Sequence, residues 1–184
     1  MDLDKAIKNR RSVRKFSLDK PDWRDVIECV DFLRYAPMAG KNFSLRAIIS
    51  KDQNKIQRAA EAAQQDFIAK AHYIVILYSM PSRTKINFGE KSEIYLRQQA
   101  GAAIQNFLLK VEEKGLATCW IGDFVEDQIK NAFVIPENMQ VEAIFPIGYE
   151  FKKSRPTKKV DLDRMLFFEK HDNKKMKLPR KITT

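Results

Sequence analysis

Three features predict an α/β or α+β sheet domain. Tyr73–Met80 is a nearly continuous apolar run bounded by Pro81, the pattern of a buried strand. Leu96, Ala100, Ala103, Ile104, Phe107, Leu108 and Val111 recur at three- and four-residue spacing, the signature of a long helix. Helix-like and strand-like segments also alternate along the chain instead of clustering by type.

The elements follow in order. Leu3, Ala6 and Ile7 mark a short amphipathic run. Pro21 after Asp19 is a helix start, and Trp23, Val26, Ile27, Val30 and Leu33 give that helix one apolar face. It should end at Ala36-Pro37, because the residue before proline is steered away from helical geometry. The small-residue loop Met38-Ala39-Gly40-Lys41-Asn42 leads to a strand at Leu45–Ser50 and a helix from Asn54 to Ala63, with a continuation through Phe67. After the buried strand, the polar segment Ser82–Lys91 reads as a loop with little structure of its own. Gly115 stands at the C′ position of the long helix. Leu116–Ile121 then reads as a short strand, Val125–Phe133 as a helix broken by Pro136, and Val141–Gly148 as a last apolar strand. The run Ala100-Gly101-Ala102-Ala103 would let another helix or a flat ligand approach closely, although packing alone explains such runs more often.

The 184 residues, 44% of them hydrophobic, suffice for one sizeable core. No apolar run is long enough to cross a membrane, and no secretory apolar core follows Met1. Cys29 and Cys119 lie in apolar segments without a disulfide framework, which fits a reducing cytoplasm. His72 and His171 have no metal-ligand spacing, so no metal is expected. The net charge of +10 is concentrated at the end: Lys152–Thr184 carries 12 Lys/Arg against 4 Asp/Glu, whereas Met1–Phe151 carries 22 against 20. Within that segment the tail from Lys170 reads as polar and weakly structured, so the expected organisation is one body at 1–169 followed by a basic tail at 170–184. A basic tail can meet nucleic acid, but no aromatic-basic or recognition-helix motif accompanies it, so nucleic acid is not the expected partner.

Arg10-Arg11-Ser12-Val13-Arg14-Lys15-Phe16 places three arginines, a lysine and a hydroxyl on a connecting segment. Arginine forks fit phosphate oxygens and a serine hydroxyl can complete the cradle. A solvated basic loop is the competing reading.

Several segments, in order from about Leu3 to Leu166, resemble one family, the small FMN-dependent nitroreductases. They are the Arg10–Phe16 segment, Ala36-Pro37-Met38-Ala39-Gly40-Lys41-Asn42 and Ala100-Gly101-Ala102-Ala103-Ile104-Gln105-Asn106-Phe107-Leu108-Leu109. Lys114-Gly115-Leu116-Ala117-Thr118-Cys119-Trp120-Ile121-Gly122 follows, then Pro146-Ile147-Gly148-Tyr149 and Arg155-Pro156-Thr157-Lys158-Lys159. The resemblance implies an α+β fold: a three-layer α/β/α sandwich around a mostly antiparallel sheet, in an intertwined homodimer with the long helix at the interface and FMN between subunits.

Position by position, the resemblance implies phosphate binding by Arg10, Ser12 and Lys158 or Lys159, with Arg11 close by. It puts Arg14 near the polar edge of the flavin ring. Ile121-Gly122 would supply backbone groups. The A-P-S-x-x-N loop departs from the pattern: Met38 replaces the usual Ser or Thr, and either Lys41 or Asn42 can occupy the asparagine position. The implied activity is ping-pong oxidoreduction, in which NADH or NADPH reduces FMN and leaves before a nitroaromatic, quinone or related acceptor enters. No side chain is nominated as catalytic acid, base or nucleophile, because the flavin carries the chemistry. The altered loop keeps open a flavin-binding protein with a storage or sensing role and little reductase activity.

Overall fold

The computed structural model describes residues 1–154 and 157–175. Arg155, Pro156 and the last nine residues of the basic tail lie outside the described residues. The chain divides into two compact units, Met1–Ser154 and Arg155–Thr184.

The larger unit carries four strands: β1 (Leu45–Ser50), β2 (Tyr73–Ser79), β3 (Ala117–Thr118) and β4 (Gln140–Gly148). They form one sheet in the order β1-β2-β4-β3, and every pairing is antiparallel. Leu45 pairs with Ser79 and Tyr73 with Ile147, and a register shift falls between Leu77 and Tyr78. Alternation along β2 then sends Tyr73, Val75 and Leu77 into one core and Ile74 and Ile76 into another. Helices α2 (Trp23–Asp31) and α5 (Ser92–Glu113) cover the first face, with α1 (Leu3–Asn9) packed on α5. Helices α3 (Gln53–Ala63) and α6 (Glu126–Phe133) cover the second. The architecture is therefore the expected α+β three-layer sandwich.

Local chemistry sets the boundaries. Asp22, not Pro21, begins α2: its carboxylate accepts the Arg24 N–H at 2.9 Å, which satisfies an otherwise orphaned helix donor. The α-helix gives way after Asp31 to a 3-10 turn at Phe32–Tyr35, and Ala36 is extended before Pro37 as expected. The anticipated apolar face of α2 is only partly internal, since Val26 is buried while Trp23 and Ile27 are about half exposed. Asp52 caps α3 through Asn54 and Lys55, and left-handed Gln64 stops it, so Phe67 lies not in α3 but in a separate 3-10 turn at Asp66–Lys70. At the end of α5, the N–H groups of Leu116 and Gly115 reach back to Val111 and Glu112, a Schellman closure.

Two expectations are corrected. Ser82–Lys91 is not an unstructured loop: α4 (Ser82–Phe88) and a 3-10 turn at Gly89–Lys91 occupy it. Thr84 Oγ1 lies 2.9 Å from Ser44 Oγ, and Phe88 packs edge-on against Tyr95, so tertiary contacts hold a helix that its polar sequence does not announce. Leu116–Ile121 is not a six-residue strand either. Ladder pairing stops at Thr118 and only Ile121 returns, as an isolated bridge to Ile144.

The arginine segment is pinned to the sheet. Val13 N–H donates to Thr118 O, Ser17 N–H to Tyr149 O and Phe151 N–H to Lys15 O. Phe16 sits directly over Gly148, where a β-carbon would stand 2.8 Å from the Phe16 ring. Gly148→Ala should therefore displace Phe16 and lower stability by about 1–3 kcal/mol through overpacking. Urea denaturation is the check, and an unchanged midpoint would contradict the packing described.

In the smaller unit, a 3-10 turn spans Leu162–Arg164, and Phe168 and Asn173 exchange main-chain and side-chain hydrogen bonds.

Candidate functional site

The basic segment begins where α1 ends. Arg11 is drawn into that end, its Nη1 donating to Lys8 O at 2.7 Å and Arg10 O at 2.8 Å. Its cation thus closes a helix C-terminus, a favourable place for positive charge. Val13 N–H, held by Thr118 O at 2.9 Å, instead sets Ser12 and Arg14 beside Cys119, and Arg10 is near enough to act on its thiol. Burial raises the Cys119 thiol pKa, while Arg14, a hydrogen bond with Ser12 and Arg10 pull it down. Cys119 is therefore a protonated packing residue at neutral pH rather than a nucleophile. Among the described residues, Arg10 and Arg14 have no carboxylate within ion-pair distance, and Arg14 lies 5.9 Å over the Phe67 ring.

The Ile121 main chain is committed. Its N–H donates to Ile144 O and its O accepts from Ile144 N–H, at 3.1 and 3.0 Å. Gly122 follows at the surface, next to the half-exposed Trp120. Thr118 Oγ1, in the same stretch, is buried and has no hydrogen-bond partner among the described residues.

Lys41 and Asn42 occupy a different region. Gly40 and Lys41 are both left-handed, at φ +58° and +56°, and Asn42 N–H closes the turn on Ala39 O. This is the I′ pattern, which favours Asn or Gly; lysine in the left-handed region costs about 1–2 kcal/mol. Gln99 on α5 clamps the loop from below, Nε2 donating to Asn42 O at 2.9 Å and Oε1 accepting Ser44 N–H at 3.0 Å. Asn42 Nδ2 is buried without a partner among the described residues, whereas Lys41 is exposed.

The two groups of residues lie over different stretches of α5. Arg10 and Arg11 act on Glu112, near the C-terminal end of α5; burial and then Glu150 nonetheless leave that carboxyl above its usual range. Gln99, under the Asn42 loop, is thirteen residues earlier on α5, about 20 Å along the helix axis. Lys158 and Lys159 belong to the smaller unit, where both are exposed.

Sequence reasoning missed Gln99. Its one signal was position: a polar residue on the buried stripe that Leu96, Ala100 and Ala103 define.

The residues fit an anionic, flat, polar-edged ligand such as FMN. Unpaired arginines and a serine hydroxyl suit a phosphate. Among the described residues, no helix is long and apolar enough to cross a membrane.

Comparison with known proteins agrees. The profile of the Nitroreductase family matches residues 7–70 and 42–149. A Methanothermobacter thermautotrophicus protein, provisionally named an NADH dehydrogenase/NAD(P)H nitroreductase, is 25% identical over 90% of this chain and 86% of its own. Iodotyrosine deiodinase of Thermotoga neapolitana is 24% identical over 77% and 85%. Among solved structures, an FMN-dependent nitroreductase of Clostridium difficile superposes with a TM-score of 0.77 at 19% identity, covering 90% of this chain and 98% of that one. The chain belongs to the nitroreductase family of oxidoreductases.

Proposed function

We propose that the protein is an FMN-dependent oxidoreductase that draws reducing equivalents from NADH or NADPH and passes them to nitroaromatics, quinones or related small acceptors in ping-pong order. The observation that carries this reading is the Arg10–Arg14 segment pinned beside Cys119 by the hydrogen bond from Val13 N–H to Thr118 O, with neither Arg10 nor Arg14 paired to a carboxylate among the described residues. The names of the relatives support it: one invokes NAD(P)H, and the structural neighbour invokes FMN.

Bound FMN would supply the hydride and electron chemistry. Arg10 and Ser12 would hold its phosphate, and Arg11 would keep the end of α1 in place behind them. Arg14 would flank the ring's polar edge, and Gly122, whose neighbour Ile121 is bound to Ile144, would let the ring approach the main chain. Lys41 and Asn42 lie over an earlier stretch of α5, by Gln99. A homodimer in which the second copy brings this loop to the ring accounts for both groups. Two buried cysteines suit a cytoplasmic setting.

Initial rates test the order of events. With NADH or NADPH varied at several fixed levels of a nitroaromatic, a quinone or an iodinated phenol, double-reciprocal plots should be parallel for each acceptor used. Intersecting lines would contradict ping-pong turnover.

A further inference from the structure

We propose that Lys41, not Asn42, is the residue of this loop that faces the flavin ring, and that Gln99 is the positioning residue that fixes it there. The inference rests on the flavoprotein reading above and concerns which side chain tunes the bound ring.

The loop has an inner and an outer side. Asn42 belongs to the inner one: its main-chain N–H and O are taken by Ala39 and Gln99, and its side-chain Nδ2 is buried. Ala39, Thr84, Tyr95, Leu96 and Gln99 line the small enclosed space beside it. Lys41 belongs to the outer side, exposed and without a carboxylate within ion-pair distance among the described residues. The turn cannot rock freely between these arrangements. Gln99 holds it on both sides of Phe43, and a β-carbon at Gly40 would stand 3.0 Å from the Phe88 ring.

Lysine is a poor choice for the second left-handed position of such a turn, where glycine or asparagine would relieve the strain. Strain retained at an exposed position points to the side chain's use. An ammonium held beside the ring favours the negative charge the ring gains on two-electron reduction. The neutral Asn42 amide, turned inward, does not.

The test uses full-length FMN-loaded protein and reads the flavin midpoint potential, together with the thermal midpoint of the flavin-free protein. Lys41→Gly should move the potential at least about 30 mV negative, a tenfold loss of preference for the reduced form in a two-electron couple. The same change should raise the flavin-free thermal midpoint by about 1–3 °C through relief of strain. Lys41→Arg should keep the wild-type potential, as should Asn42→Ala. Gln99→Leu should shift the potential in the direction of Lys41→Gly and add nothing in the Lys41→Gly background. A Lys41→Gly protein that gains thermal stability at an unchanged potential overturns the proposal, as does a larger shift from Asn42→Ala. Wild-type protein that binds no FMN overturns the flavoprotein reading and this proposal with it. Wild-type protein that binds FMN while Lys41→Gly leaves its potential unmoved overturns this proposal alone.

Discussion

Phe145→Ala is expected to lower stability by about 3–5 kcal/mol, the range for emptying a large aromatic site in a packed core. Phe145 is 1% exposed and pairs with Val75 in the centre of the sheet. Its ring lies 5.0 Å from Phe107 on α5 and 6.4 Å from Trp120, between centroids. One side chain therefore joins the sheet to the long helix and to the bend that carries Gly122. Because a domain's whole stability is about 5–15 kcal/mol, the variant should be marginal at ordinary temperature. Urea denaturation should show a lower midpoint with an unchanged slope. Ile86→Ala serves as the contrast, since Ile86 is 83% exposed and its removal should stay within about 0.5 kcal/mol. A Phe145→Ala loss below about 1 kcal/mol would mean that α5 and the sheet collapse readily onto each other, contrary to the packing described.

Arg10→Ala combined with Ser12→Ala should weaken FMN binding by roughly two to three orders of magnitude, because each charge-assisted hydrogen bond contributes about 1.5–3 kcal/mol. Stability should change little. Ser12 is exposed, Arg10 is only half-buried, and α1 is closed by Arg11 rather than by either of them. Quenching of flavin fluorescence gives the affinity, and a thermal melt of the flavin-free variant checks the fold. An unchanged affinity would remove the phosphate role from these two residues. An unfolded variant would show that they brace the sheet.

Much of the fold was legible because apolar periodicity reports burial directly. The stripe on α5, the β2 run and the strand at β1 all stand where the pattern puts them. Periodicity failed where burial and hydrogen bonding part company. Leu116–Ile121 is mostly apolar because all of it but Trp120 is buried, yet Cys119 and Trp120 leave the ladder, and an apolar run cannot distinguish a strand from a buried bend. Helix α4 failed in the opposite way. Ser82–Phe88 lacks an apolar stripe, and the contacts that fold it, from Thr84 to Ser44 and from Phe88 to Tyr95, are tertiary. Of the candidate site, the arginine-serine segment was legible from composition and spacing. The individual tasks were not: Arg11 on the carbonyls of α1 and Ile121 in a bridge with Ile144 depend on hydrogen-bond geometry that residue types do not encode. The Gln99 clamp was least legible of all, because it links residues 55 and 57 positions apart.

We propose that the early arginines and serine belong to a flavin site working in turnover with a pyridine nucleotide. The visible spectrum of the FMN-reconstituted protein under anaerobic conditions tests it most directly. Addition of NADH or NADPH should bleach the oxidised flavin bands, and a nitroaromatic or quinone should restore them. A yellow protein that neither nucleotide bleaches would contradict the reductase and favour a flavin-storage or sensing role. A protein that refuses FMN altogether would contradict the site itself.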